Sequence, residues 1–334
     1  MFSAPEPIGS LRRTLHDLTR NAHSTGTQAS YSSGVNHFYR YVEFIKPKQI
    51  REREVFLLFI VYLTQFTKLR FCTIRLYAYA VRDYFVQQGW SDPTMRGGKV
   101  DPQFSLLLRG IERDHATKYS PKEKKPLTLE KMTDVVDAVS ALSITLLDKI
   151  ALRTAILFAF WGFFRVSEFC VKSTGNTFLR RMDVKIKQLP DSSNYVTVNL
   201  RSSKSSQFKP VKVYIYPNAS RLCPVAAMDK YLTLTAHFAR CKPTAPLFWL
   251  SNEQMSTTVF NSLLKDAIAH TSLDPKFYTA HCLRSGAATS AYNSGVSPDL
   301  IMRLGRWSSD CYKVYIKKSS MAIREAHRKI KTSS

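Results

Sequence analysis

Apolar residues recur every three to four positions through Thr25 to Phe44, Val55 to Phe66 and Cys72 to Gln88. That spacing lines one face of an α-helix with side chains that can be buried together. From Ser10 to about Lys118 the pattern predicts four or five packed helices. Residues 1–9 contain Pro5, Pro7 and Gly9 with little periodicity and read as a loose leader. Thr117 to Leu127 (TKYSPKEKKPL) is polar, with four lysines and two prolines between two well-patterned regions, which are the marks of a linker. The expected organisation is therefore a helical domain over 10–118, a basic linker over 119–127 and a second domain over 128–334. In that second domain Thr128 to Val139 and Leu146 to Trp161 read as helices, the first opened by Thr128 with Glu130 and Lys131 in its first turn. The period then changes from helical to alternating. Tyr195 to Leu200 and Val211 to Tyr216 are rich in β-branched residues and flank the polar turn Arg201 to Pro210 (RSSKSSQFKP), predicting a β-hairpin with a lysine near its tip. From Pro224 helical patterning returns, ending in three short helices after Thr279. Ser297-Pro298-Asp299 is a helix start, and Gly305 is placed to end that helix. The fold class is mainly α with a small antiparallel β-sheet, in two domains.

Composition narrows the class of partner. A chain of 334 residues is long enough for two domains with cores of their own, and 44% apolar with 22% charged residues is a globular balance. Lysine and arginine outnumber acids 49 to 25, a formal charge of +24 that exceeds what solubility needs and attracts a polyanion. Nucleic acid is the first partner to consider, against the plainer reading of a basic ribosome-associated or membrane-surface protein. Residues 1–118 hold 17 basic and 10 acidic residues, so both halves are positively charged and both can face one duplex. The six cysteines are scattered, with no CxxC pair and no zinc-spaced Cys/His cluster, so no metal site or disulfide framework is expected and a reducing compartment fits. Val55 to Phe66 and Ala155 to Phe164 are too short to span a bilayer, and the first residues lack the apolar core of a signal peptide, so no membrane is expected. The aromatic stripes at Tyr31, Phe38, Tyr39 and Tyr41, and at Tyr77, Tyr79 and Tyr84, are expected to pack between helices.

Four separated segments carry candidate chemistry: Gly162-Phe-Phe-Arg165-Val-Ser-Glu168, Ser203-Lys204-Ser205, His281-Cys-Leu-Arg284-Ser-Gly286, and Leu304-Gly-Arg306-Trp307 followed by Tyr312 and Tyr315. Each alone has an ordinary explanation: a surface arginine, a solvated turn lysine, a core histidine, an amphipathic tyrosine. His281 and Arg284, three apart, share a helix face and can meet one phosphate. In this order and at these separations the segments resemble the catalytic signature of the tyrosine recombinases, the phage-integrase family. The resemblance covers essentially the whole chain, since that family has a helical core-binding (SAM-like) domain, a basic linker and an α+β catalytic domain.

The resemblance implies a site-specific recombinase or integrase that breaks and rejoins DNA through a 3′-phosphotyrosyl intermediate. Tyr315 is then the nucleophile, Arg165 and Arg284 stabilise charge on the phosphate, His281 donates to a phosphate oxygen or helps take the tyrosine proton, and Lys204 protonates the leaving 5′ oxygen. Lys209 and Lys212 are alternatives to Lys204, and Tyr312, one helical turn before Tyr315, is the competing nucleophile. Glu168 is structural by the same resemblance. The family commonly has His or Trp directly after the glycine of the last segment and the nucleophile nine residues later. Here Arg306 stands at that place, with Trp307 one further; which of the two makes the phosphate contact is open, with Trp307 favoured through its indole N–H. The implied partners are double-stranded DNA and a homotetramer on paired sites, with Ser319 to Ile330 as a candidate exchanged segment. No ATP, cofactor or metal is implied. The GRW run with Tyr-Ile at the nucleophile resembles eukaryotic mobile-element recombinases of the Crypton and DIRS kinds, which implies a nuclear location if the host is eukaryotic and a cytoplasmic one otherwise. Two rivals remain: a domesticated DNA-binding protein of the same fold that no longer cuts, and a monomeric type IB topoisomerase-like activity.

Overall fold

The structure, a computed structural model, describes residues 8–45, 52–119, 124–172, 178–201, 210–307 and 313. The chain divides into two compact units, 1–121 and 122–334. No described helix is long and apolar enough to cross a membrane.

The first unit has five helices among its described residues: α1 (Ile8–Asn21), α2 (Thr25–Ile45), α3 (Glu52–Phe66), α4 (Phe71–Gln87) and α5 (Pro102–Lys118). Helix α1 begins at Ile8, so the last two residues expected in the leader are already helical. The aromatic positions read from the sequence as packing do pack. Phe38 of α2 meets the ring edges of Phe59 and Phe85 at 5.2 and 5.7 Å, with Tyr41, Ile60, Ile74 and Val81 buried around them. Helices α2 and α4 come close because Gly34 carries no side chain: a Cβ there would lie 2.8 Å from that of Ala80. Between α4 and α5 lies a two-stranded hairpin, β1 (Met95–Arg96) and β2 (Lys99–Val100), closed by Gly97 and Gly98 with φ of 57° and 75°. Two consecutive left-handed residues are what a type I′ turn needs, so the Gly-Gly pair was a legible signal for this unanticipated hairpin.

The second unit is built around α7 (Leu146–Trp161), whose residues from Thr154 to Phe160 are all buried. It is a central helix, without a solvent stripe of its own over that stretch. Helices α6 (Leu129–Ala138), α9 (Pro224–Leu234), α10 (Thr257–Ala269) and α11 (His281–Asn293) pack on it or on each other, and α12 (Pro298–Gly305) packs on α11. Short α8 (Val166–Phe169) follows α7 directly. The sheet has three antiparallel strands in the order β3 (Val184–Gln188), β4 (Asn194–Leu200), β5 (Val211–Ile215). The expected hairpin is β4–β5; β3 was not anticipated. Register pairs Val184 with Val198 and Val198 with Val213, so Val196, Val198, Leu200 and Ile215 face the core while Lys185, Lys187, Lys212 and Tyr214 face outward.

The end of the expected linker belongs to this second unit. Lys125 N donates to Phe277 O at 3.1 Å and Leu127 N to Cys282 O at 2.9 Å, and the Leu127 side chain is fully buried. This strand of chain crosses α11 so closely that a Cβ on Gly286 would sit 1.8 Å from Leu127 O. Thr128 occupies the cap position of α6, but its side chain makes no capping bond; Leu129 N donates instead to Ser290 Oγ of α11 at 2.9 Å. Two of the three helices expected after Thr279 are α11 and α12, and the third lies outside the described residues.

Candidate active site

Three stretches of chain converge on one buried cluster of arginines in the second unit: the α7–α8 junction, α11, and the end of α12. At the junction, Arg165 is the cap residue of α8. Its backbone N donates to Glu168 Oε2 and its Nη1 to Glu168 Oε1, both at 2.9 Å. The Glu168 side chain is 3% exposed and that of Arg165 is 18% exposed, so the carboxylate is interior and the guanidinium reaches the surface. Just before it, Phe163 has φ of 51°, a left-handed conformation that is costly for a bulky residue. That turn directs its carbonyl into the cluster, where it accepts from Arg284 Nη1 and from Arg306 Nη2.

Arg284, on α11, is fully buried. Its Nη1 donates to Phe163 O and its Nη2 to Gly305 O. The Trp307 ring, 7% exposed, lies over its guanidinium at 4.5 Å, a cation–π contact, and meets Phe163 edge-on at 6.3 Å. His281, three residues earlier on α11, is exposed, so the HxxR spacing places a surface imidazole one turn from a buried guanidinium.

Helix α12 starts as read: Ser297 Oγ accepts from Leu300 N, Pro298 is its first residue and Asp299 lies in its first turn. It ends at Gly305, as read, but the glycine is not the left-handed cap. Gly305 is still helical, and the left-handed residue that stops the helix is Arg306, with φ of 55°. Gly305 is needed for another reason: a Cβ there would fall 1.8 Å from the Trp307 ring, which folds back over it. The left-handed turn sends the Arg306 side chain inward. Nη1 donates to Gly162 O at 2.9 Å and Leu304 O at 3.2 Å, and Nη2 to Phe163 O and Glu168 Oε2, both at 3.0 Å. Its guanidinium also lies over the Phe164 ring at 5.0 Å. Burial pulls the Arg306 pKa down and nearby Arg165 adds to that, while the Glu168 carboxylate opposes both; a guanidinium stays charged regardless.

The structure thus brings Arg165, Arg284, Arg306 and Trp307 into one hydrogen-bonded and stacked group, with His281 one turn away. Lys204, Lys209, Tyr312 and Tyr315 lie outside the described residues, as does Ser319 to Ile330. Lys212 is exposed on the outward face of β5. Among the described residues no group of three or more His, Cys, Asp or Glu stands where it could hold a metal.

No family model matches the chain, and no curated protein matches it. Solved structures do. A XerH site-specific recombinase bound to palindromic difH substrate, in a post-cleavage complex, superposes with a TM-score of 0.62 over 95% of this chain and 83% of its own, at 13% identity. The chain has the tyrosine recombinase fold. A lambda integrase dimer bound to a COC′ core site gives a TM-score of 0.55 at 16% identity, over 94% of this chain and 96% of that one. The Tn1549 transposon integrase in complex with transposon right end DNA gives 0.55 at 15% identity, over 89% and 92%. At such identities the likeness is one of architecture: a mainly helical recombinase fold with small antiparallel sheets, extending across both units.

Missed in the sequence were the carbonyl of Phe163, the close approach at Gly286 and the inward turn of Arg306. A glycine inside a helix costs about 1 kcal/mol relative to alanine, so Gly286 carried a usable sign of close packing. Nothing in the residue type of Phe163 or Arg306 announces a left-handed backbone.

Proposed function

We propose that the chain is a tyrosine-type DNA recombinase that cleaves and rejoins duplex DNA through a 3′-phosphotyrosyl intermediate. The observation that carries this reading is the convergence of two segments far apart in sequence, Arg165 on one and the exposed His281 with Arg284 on the other, in the second unit of a recombinase fold. Tyr315 is the nucleophile: its oxygen attacks the scissile phosphorus, the P–O5′ bond breaks, and Lys204 gives its proton to the leaving 5′ oxygen. Phenol ordinarily ionises near pH ~10, so a site rich in guanidinium charge favours the phenolate and stabilises the phosphorane-like transition state. His281 donates to a non-bridging oxygen or takes the tyrosine proton. Attack by a 5′ hydroxyl from another strand reverses the chemistry and restores Tyr315. Because the phosphotyrosyl bond conserves the energy of the broken phosphodiester, the cycle needs no ATP. The finer reading is a mobile-element recombinase of the Crypton or DIRS kind, acting as a tetramer on paired sites and, in a eukaryotic host, in the nucleus.

The experiment is strand transfer between two differently labelled duplexes carrying candidate sites. Recombinant strands that depend on Tyr315 support the reading, whereas relaxation of supercoiled plasmid with no exchange points to a topoisomerase-like enzyme. One observation favours a second reading. Arg284 is fully buried beneath Trp307 and bonded to two backbone carbonyls, an arrangement that suits a DNA-binding protein of this fold that has ceased to cut. Duplex binding with neither exchange nor relaxation would select it.

A further inference from the structure

The geometry points to Arg306 as a positioning residue that holds Glu168 and the Phe163 carbonyl in place, and through them Arg165, and that does not itself contact the DNA phosphate. This rests on the phosphate-binding role proposed for Arg165.

A guanidinium offers five N–H groups, two on each terminal nitrogen and one on Nε. Both terminal nitrogens of Arg306 donate twice, to the four oxygens of Gly162, Leu304, Phe163 and Glu168. All four terminal N–H groups are therefore engaged within the protein. The remaining donor, Nε, is buried and has no hydrogen-bond partner among the described residues. The side chain is only 8% exposed, against 18% for Arg165. For a terminal N–H to reach a phosphate, Arg306 would have to release a buried carboxylate or a backbone carbonyl.

What those bonds accomplish follows from what they share. Glu168 takes Arg165 on Oε1 and Arg306 on Oε2, so the carboxylate is fixed from both sides and its free rotation about the terminal torsion is removed. Phe163 O takes both Arg306 and Arg284, which helps to hold Phe163 in its left-handed conformation and sets the carbonyl against which Arg284 is aligned. Arg306 and Arg165 also lie close enough for their like charges to affect each other, and the carboxylate between them offsets that repulsion. The left-handed backbone at position 306 is what turns the side chain into this interior, so one residue both ends α12 and locks the arginine cluster.

The test uses the full chain and a labelled duplex, reading the slope of log affinity against log salt for wild type, Arg165→Ala, Arg306→Gln and Arg165→Ala/Arg306→Gln. Removing a phosphate-contacting arginine lowers the magnitude of that slope by about one. Arg165→Ala is expected to lower it by about one, and the double variant to match Arg165→Ala alone. Covalent complex formation by Arg306→Gln is expected to slow by about tenfold to a hundredfold, the scale of a misplaced catalytic group, with partial recovery in Arg306→Lys, which keeps a cation beside Glu168. If Arg306→Gln fails to fold, the neutral Arg306→Met, alone and combined with Arg165→Ala, gives the same slope comparison. A double variant whose slope falls by a further unit makes Arg306 an independent phosphate ligand and overturns the inference while leaving the recombinase reading standing. An unchanged slope in Arg165→Ala removes the phosphate contact on which both rest.

Discussion

Glu168 shows how much of the candidate site depends on one interior charge. Its carboxylate, 3% exposed, is the sole acid bonded to Arg165 and Arg306 among the described residues. Glu168→Gln leaves two guanidiniums beside a neutral amide, and breaking a buried ion pair from one side costs about 3–5 kcal/mol. Urea unfolding of the variant should show a loss of that order, and a loss below about 1 kcal/mol would mean the cluster rearranges without it. Tyr231 gives a second test, by pH. Its phenol is buried, and burial pushes its pKa up to about 12, against the usual 10.0. A group that holds its proton more tightly when folded lends stability that is complete below pH ~10 and is lost as pH rises through ~12. Removing this phenol with Tyr231→Phe should therefore flatten part of the decline in stability between those limits, measured by chemical denaturation across the alkaline range. Arg165, His281 and Arg284 were legible because their spacing is a pattern of residue types. The strained carbonyl of Phe163 and the direction of Arg306 were not, since both depend on backbone torsions that residue type does not fix.

At the scale of elements, the β4–β5 hairpin could be read because its alternation is sustained on both sides of a polar turn. Strand β3 offers only Val184 and Ile186 between lysines, too short an alternation to stand apart from a loop until a partner strand is known. The register gives a direct prediction. Val198 faces the core at the centre of the sheet and is fully buried, whereas Lys185 on the neighbouring strand is exposed. Val198→Ala should cost about 2 kcal/mol, the loss of two buried methylene equivalents with some cavity, and Lys185→Ala less than about 0.5 kcal/mol. A one-residue slip would exchange faces along the strand and invert the order. Gly286→Ala tests the crossing of residues 125–127 over α11. The added methyl meets the Leu127 carbonyl, and forcing the two apart should cost at least about 1–3 kcal/mol, seen as a lowered Tm. The polar composition of 119–127 reads as a linker, but it could not reveal that the stretch from Lys125 is anchored to the second unit by backbone bonds and a buried leucine.

The whole molecule carries a formal charge of +24, distributed over both units, on a fold shared with recombinases solved on their DNA. If that charge serves a duplex, affinity should fall steeply with salt, by about a thousandfold or more between roughly 50 and 200 mM for a footprint of ~6–10 phosphates. Binding and cutting share phosphate contacts such as Arg165, and the nucleophile is the residue that separates them. The most direct measurement is therefore covalent capture. The purified protein and its Tyr315→Phe and Tyr312→Phe variants are incubated in EDTA with duplexes nicked beside candidate sites, so that a cleaved strand diffuses away and the adduct is trapped. The account predicts a protein–DNA adduct for wild type and Tyr312→Phe and none for Tyr315→Phe. An adduct that survives Tyr315→Phe and disappears with Tyr312→Phe, or no adduct on any duplex that the protein binds, would contradict it.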